Sequence, residues 1–252
     1  MDFADEPAAR KQINTWVEDN TAKKIKDLIP SSVLDASTRM VLTNAVYFKG
    51  TWQVEFDKKE TKDGPFTGMD GKKTDVPLMH MKAHLRYADT DHLQAVELAY
   101  KGGETAMTVL LPKKADGLAD VEKKLTADTL DAVHKGMRKI EVTLTLPRFK
   151  IETKYTLNDP LKALGMKDAF DGKADFTGMA EAEKLFIAAV LHKAFVEVNE
   201  EGTEAAAATA VVVAKHGGSP PREVFTADRP FLFVSRHLPT DTVLFHGRCE
   251  KP

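Results

Sequence analysis

Few residues of this 252-residue chain are spaced for catalysis. The single cysteine, Cys249, lies in an apolar strand pattern near the C-terminus, where a thiol packs rather than attacks. Glu200 and Glu201 are adjacent, and on a strand adjacent side chains point to opposite faces, so they do not form an acid/base pair. His80 and His84 stand four apart, a metal-binding offset on a helix, but the residues around them read as strand and turn. The patterns G-x-S-x-G, H-E-x-x-H, G-x-x-x-x-G-K-[ST] and C-x-x-C are all absent from the sequence. These residues call for no enzyme, no metal and no cofactor.

The most unusual stretch is Glu197 to Arg222, EVNEEGTEAAAATAVVVAKHGGSPPR. Local preference reads it two ways. As a helix it has Thr203 as N-cap, Glu204 in the first turn, four alanines, and Gly217 as C-terminal stop. As a strand it puts Thr203, Ala205, Ala207, Thr209, Val211 and Val213 on one face. None of these is charged or bulky, so such a strand can enter an existing sheet without burying a charge or overfilling a core. Gly202 supplies a permissive pivot.

The elements around it follow from periodicity. Pro7 to Asn20 reads as a helix with Ile13, Trp16 and Val17 in one stripe, and Lys23 to Ile29 continues helically until Pro30. Arg39 to Lys49 reads as a buried strand, and Leu93 to Tyr100 pairs with Met107 to Pro112 across Lys101-Gly102-Gly103-Glu104. Gly117 to Gly136 reads as one amphipathic helix, Lys139 to Ile151 as an alternating strand and Asn158 to Leu164 as a short helix. Leu185 to Val198 is a long strand, and Phe231 to Ser235 and Thr242 to Gly247 flank the turn at Pro239-Thr240-Asp241. The fold class is α+β. With a net charge of −2 and lysine patches interleaved with acids, nothing points to nucleic acid or to an anionic membrane. No apolar run reaches the length of a membrane span, and the N-terminus lacks the apolar core of a signal peptide.

The segments VLHKAFVEVNEEGTEAAAATAV (190–211), LTNAVYFKGTW (42–52), ADFTGM (174–179), RPFLFVSRH (229–237) and VLFHGRCEKP (243–252) resemble serpin signatures, in serpin order. The chain is similar to the C-terminal portion of a serpin, of a prokaryotic type. The resemblance implies a partial serpin fold: a large, mostly antiparallel A sheet, B and C sheets, surface helices and an exposed reactive-centre loop at about 200–222. It further implies a single incomplete domain over 1–252, without the N-terminal helices and strands of a complete member. It implies a suicide-substrate inhibitor of serine or sometimes cysteine proteases, a monomer when complete, and an extracellular or periplasmic setting. The hinge is then Glu200, Glu201, Gly202, Thr203, Glu204, Ala205, Ala206, Ala207, Ala208 and Thr209. Insertion of 203–214 takes place between strands 39–49 and 185–198. Asn44 and His192 match shutter positions, and Trp52 a breach position. Family spacing from Gly202 puts the reactive bond at His216–Gly217, with Lys215–His216 the main alternative and Arg222 a distant one. Two other readings stay open: a non-inhibitory carrier or chaperone-like serpin, and an inactive fragment of low stability whose strand 39–49 lies at an exposed edge.

Overall fold

A computed structural model describes residues 2–180, 184–203 and 222–252. In chain order its elements are α1 (Glu6–Asn20), β1 (Val41–Tyr47), β2 (Gly50–Thr51), β3 (Lys62–Thr67), β4 (Lys73–Asp89), β5 (Leu93–Ala99) and β6 (Thr105–Pro112). They continue with α2 (Leu118–Lys124), α3 (Ala127–Gly136), β7 (Arg138–Pro147), β8 (Phe149–Thr156), α4 (Asn158–Ala163), β9 (Ala189–Asn199), β10 (Gly202–Thr203), β11 (Arg222–Thr226), β12 (Phe231–His237) and β13 (Thr242–Cys249). The chain divides into two compact units, residues 1–48 with 151–196, and residues 49–150 with 197–252.

In the first unit α1 starts at Asp5, whose carboxylate accepts from the Ala8 amide, and carries a proline in its first turn. Its inner face, Ala9 and Val17, packs with Ile25, Leu28, Ile29 and Leu34 against Ala189, Leu191 and Phe195 of β9. The expected helix over Lys23 to Ile29 is absent. Ala22, Lys23 and Asp27 adopt left-handed backbone, at φ of 49°, 61° and 48°, which no right-handed helix contains. The buried Asn14 holds this irregular segment. Its side-chain amide donates to the Ile29 carbonyl at 2.9 Å and its oxygen accepts from the Ile29 amide at 2.8 Å. β1 pairs with β9 in parallel, from Val41 with Ala189 to Tyr47 with Phe195. β1 is not the buried strand expected from its apolar run: it is half-buried, with Leu42 42% exposed. Its second edge has no strand partner among the described residues.

The second unit is built on an eight-stranded sheet in the order β11-β7-β4-β5-β6-β12-β13, with β3 on β4. The B and C sheets expected from the resemblance form this one sheet, because the long β4 pairs with β3 and β7 along most of its length and with β5 at its end. The expected single helix over Gly117 to Gly136 is two. Thr126 caps α3 with a reciprocal capping box to Thr129, and the chain turns between them. The expected strand over Lys139 to Ile151 is likewise two, divided after Pro147, whose ring removes a ladder donor. Both helices cover Ala95, Leu110, Leu232 and Val234 of the sheet.

Candidate functional site

β9 ends at Asn199, and the next residues reverse the chain. Gly202 has φ +147°, a conformation that side chains disfavour. The chain therefore reverses, and β10 lies antiparallel to the end of β9, with Gly202 opposite Asn199 and Thr203 opposite Val198. On its other edge β10 pairs antiparallel with β2, Gly202 with Thr51 and Thr203 with Gly50. Thr203 is thus a strand residue flanked on both sides, not the N-cap that local preference suggested. A β-carbon on Gly202 would collide with the Gly50 carbonyl and lie 2.7 Å from the Thr51 α-carbon.

Every carbonyl of the turn is satisfied. The Trp52 indole donates to Asn199 O at 3.0 Å, the Phe56 amide to Glu200 O at 2.9 Å, and the Trp52 amide to Glu201 O at 2.9 Å. Trp52 is fully buried and stacks on Tyr100 at 4.5 Å between ring centroids. The Tyr100 hydroxyl and the Thr203 hydroxyl are hydrogen-bonded at 2.7 Å, and burial raises the Tyr100 pKa well above its ordinary value.

Glu200 and Glu201 have separate partners. The Glu200 carboxylate is buried and accepts from Arg148, Nε at 2.7 Å and Nη2 at 2.6 Å, and from the Thr61 hydroxyl. Burial raises its pKa, but the Arg148 and Thr61 hydrogen bonds outweigh that and hold it below the usual carboxylate value. Glu201 is paired with Lys58, and this raises the lysine's pKa.

In the first unit His192 Nδ1 lies 2.9 Å from Asn44 Oδ1, joining β9 to β1, and its ring stacks on Tyr155 at 6.3 Å. Cys249 is fully buried, and burial pushes its thiol up to about 12. His80 and His84 both lie on β4, where four residues span about 13 Å. Among the described residues no cluster of histidine, cysteine, aspartate and glutamate could hold a metal. Arg222 is in β11, with Nε 2.8 Å from Glu141 Oε1. Glu204, Ala205, Ala206, Ala207, Ala208, Thr209, Lys215, His216 and Gly217 lie outside the described residues.

The sequence singled out Asn44, Trp52, His192, Glu200, Glu201, Gly202 and Thr203, but not the side chains that contact them, Lys58, Thr61, Tyr100, Arg148 and Tyr155. Arg148 directly follows Pro147, the break in the β7 alternation, and that break was its only signal.

The serpin (serine protease inhibitor) family model matches residues 1–252. Serpin B3 from Homo sapiens is 44% identical over 257 residues, covering 100% of this chain and 66% of the human protein. A leukocyte elastase inhibitor from Sus scrofa is 45% identical over 252 residues, 97% of this chain and 66% of its own length. The crystal structure of uncleaved ovalbumin superposes with a TM-score of 0.89 at 34% identity, over 100% of this chain and 65% of that one. Native protease nexin-1 with heparin gives 0.87 at 33%, over 100% and 67%. The chain belongs to the serpin family, with its α+β fold. It spans just under two thirds of the length of these curated relatives. They are mammalian, and give the expectation of a prokaryotic type no support.

Proposed function

We propose that the protein carrying this chain inhibits serine proteases as a suicide substrate. The observation that carries this reading is β10. The two residues that begin the loop already form a strand with partners on both edges. Extending their register with β9 residue for residue would bring Ala205 opposite Val196, Thr209 opposite His192 and Val212 opposite Ala189. β1 now occupies β9 from Ala189 to Phe195, so insertion requires β1 to part from β9 and accept the new strand between them. One ladder is lost and two are gained, each bond contributing roughly 0.5–1.5 kcal/mol net. A protease that cleaves the loop frees this strand, and an acyl-enzyme formed at that bond is carried with it.

The reactive bond is placed at His216–Gly217, with Lys215–His216 as the alternative. The pairing of Arg222 within β11 argues against cleavage there. A scissile histidine leaves the kind of target protease open; the relative named leukocyte elastase inhibitor raises an elastase-like target, which would instead call for cleavage after Val213 or Ala214. No catalytic role is assigned to the chain.

The test is incubation with trypsin-, chymotrypsin-, elastase- and subtilisin-like proteases, read by denaturing gel and intact mass. A covalent complex with release of a peptide beginning at Gly217 is the expected result. Release beginning elsewhere moves the reactive bond. Clean cleavage without a covalent band overturns inhibition in favour of a carrier or chaperone-like serpin.

A further inference from the structure

In the second unit the last turn of α3 rests on a buried cluster of charged side chains. His134, on that turn, is 5% exposed, and its Nε2 lies 3.0 Å from the hydroxyl of Thr108 on β6. The His134 carbonyl accepts from Arg86 Nη2 of β4 at 2.6 Å. Beside them Glu97 of β5 is buried, and an arginine takes each of its carboxylate oxygens. Arg86 Nη1 donates to Oε1 at 2.9 Å, and Arg236 Nη2 of β12 donates to Oε2 at 3.0 Å. Arg236, itself buried, also pairs with Asp241 in the β12–β13 turn. On α3 the neighbouring Lys135 is paired with Asp131 at 2.6 Å. Two arginines thus face two carboxylates, and the cluster is charge-balanced only while His134 is neutral.

We propose that His134 is an acid-operated latch: proton uptake there releases the last turn of α3 from the sheet and uncovers the apolar surface beneath it. A third cation in the cluster would lie beside Arg86 and Arg236 with both carboxylates already engaged, and burying such an unpaired charge is costly. Once the turn lifts, the imidazolium reaches water and that cost disappears. The Thr108 hydroxyl can donate to a neutral ring or accept from a charged one, so it does not decide between the two states. Burial holds the His134 pKa below the ordinary histidine value. Arg236 and Arg86 lower it further, and Glu97 and Asp241 do not make up the difference. The closed turn is therefore most stable above the ordinary value of about 6.5, and loses stability as pH falls below that towards the lower folded value. Val133 and Met137 flank His134 and pack with Leu130 on the core of Ala95, Leu110, Leu232 and Val234, so the surface released is apolar.

Hydrogen exchange of the whole chain, corrected for the intrinsic pH dependence of amide rates, tests this. An open turn with an ordinary histidine should be about tenfold more populated at about pH 5.5 than at about pH 7.5. Corrected exchange over residues 127–137 should rise accordingly. His134→Gln keeps a hydrogen-bonding group for Thr108 but takes up no proton, and should show no such rise. An NMR titration of the wild-type His134 ring, with its midpoint expected below about 6.5, serves as the test if the variant does not fold. Four outcomes overturn the proposal: unchanged exchange over 127–137 in the wild type, an equal rise in His134→Gln, an equal rise in every element of the chain, or a ring midpoint at or above about 6.5. None of these readouts depends on loop cleavage.

Discussion

A single methyl group on Gly202 would strike the Gly50 carbonyl and force a β-carbon onto backbone at φ +147°. Gly202→Ala should lower Tm by about 5 °C or more, and calorimetry of the folded protein would show it. Thr203 is buried and tied to Tyr100. Thr203→Arg would place an unpaired charge where the strand must start, so the variant should be cleaved by target proteases without trapping them. A covalent band of undiminished yield would contradict this. Glu200 gives a pH signature. Its folded pKa is lowered, so its stabilisation is full above the ordinary carboxylate range and is lost as pH falls through the lowered folded value. Wild-type Tm should therefore drop on acidification below about pH 4, and Glu200→Gln should flatten that drop while costing about 1–3 kcal/mol at neutral pH.

Between elements, the proposed mechanism turns on the ladder joining β1 to β9, which an inserting strand would have to open. Asn44 and His192 occupy one register pair and touch through their side chains. Replacing both with cysteine should allow a disulfide across that pair. The oxidised form should behave as a substrate and the reduced form as an inhibitor, read by covalent-complex yield before and after reduction. Elements of simple period were readable from sequence: α1, the β5–β6 hairpin and the β12–β13 hairpin lie close to their expected bounds. Lys23 to Ile29 was not, because its apolar residues keep helical spacing while Asn14, fifteen residues from Ile29, dictates the backbone. The break at Thr126 was hidden for a related reason. Leu118, Val121, Leu125, Leu130 and Val133 keep one stripe across two helices, and only the Thr126–Thr129 cap divides them. In the site the pivot glycine was legible as a local property. The partners of Glu200 were not, because Arg148 and Thr61 lie 52 and 139 positions away in sequence.

At the scale of the whole molecule, cleavage should raise stability instead of lowering it. If 203–212 enters beside β9, the cleaved protein gains a complete ladder, and its Tm should exceed that of the intact form by about 10 °C or more. Equal or lower Tm after cleavage would mean that the loop stays outside. The chain also offers a means of following that movement. The thiol of Cys249 is fully buried, and burial pushes its pKa up to about 12, so it should react slowly with maleimide reagents while the fold is intact. A cysteine placed at a chosen loop position would be labelled first, and its dye would report in real time the environment through which the loop travels.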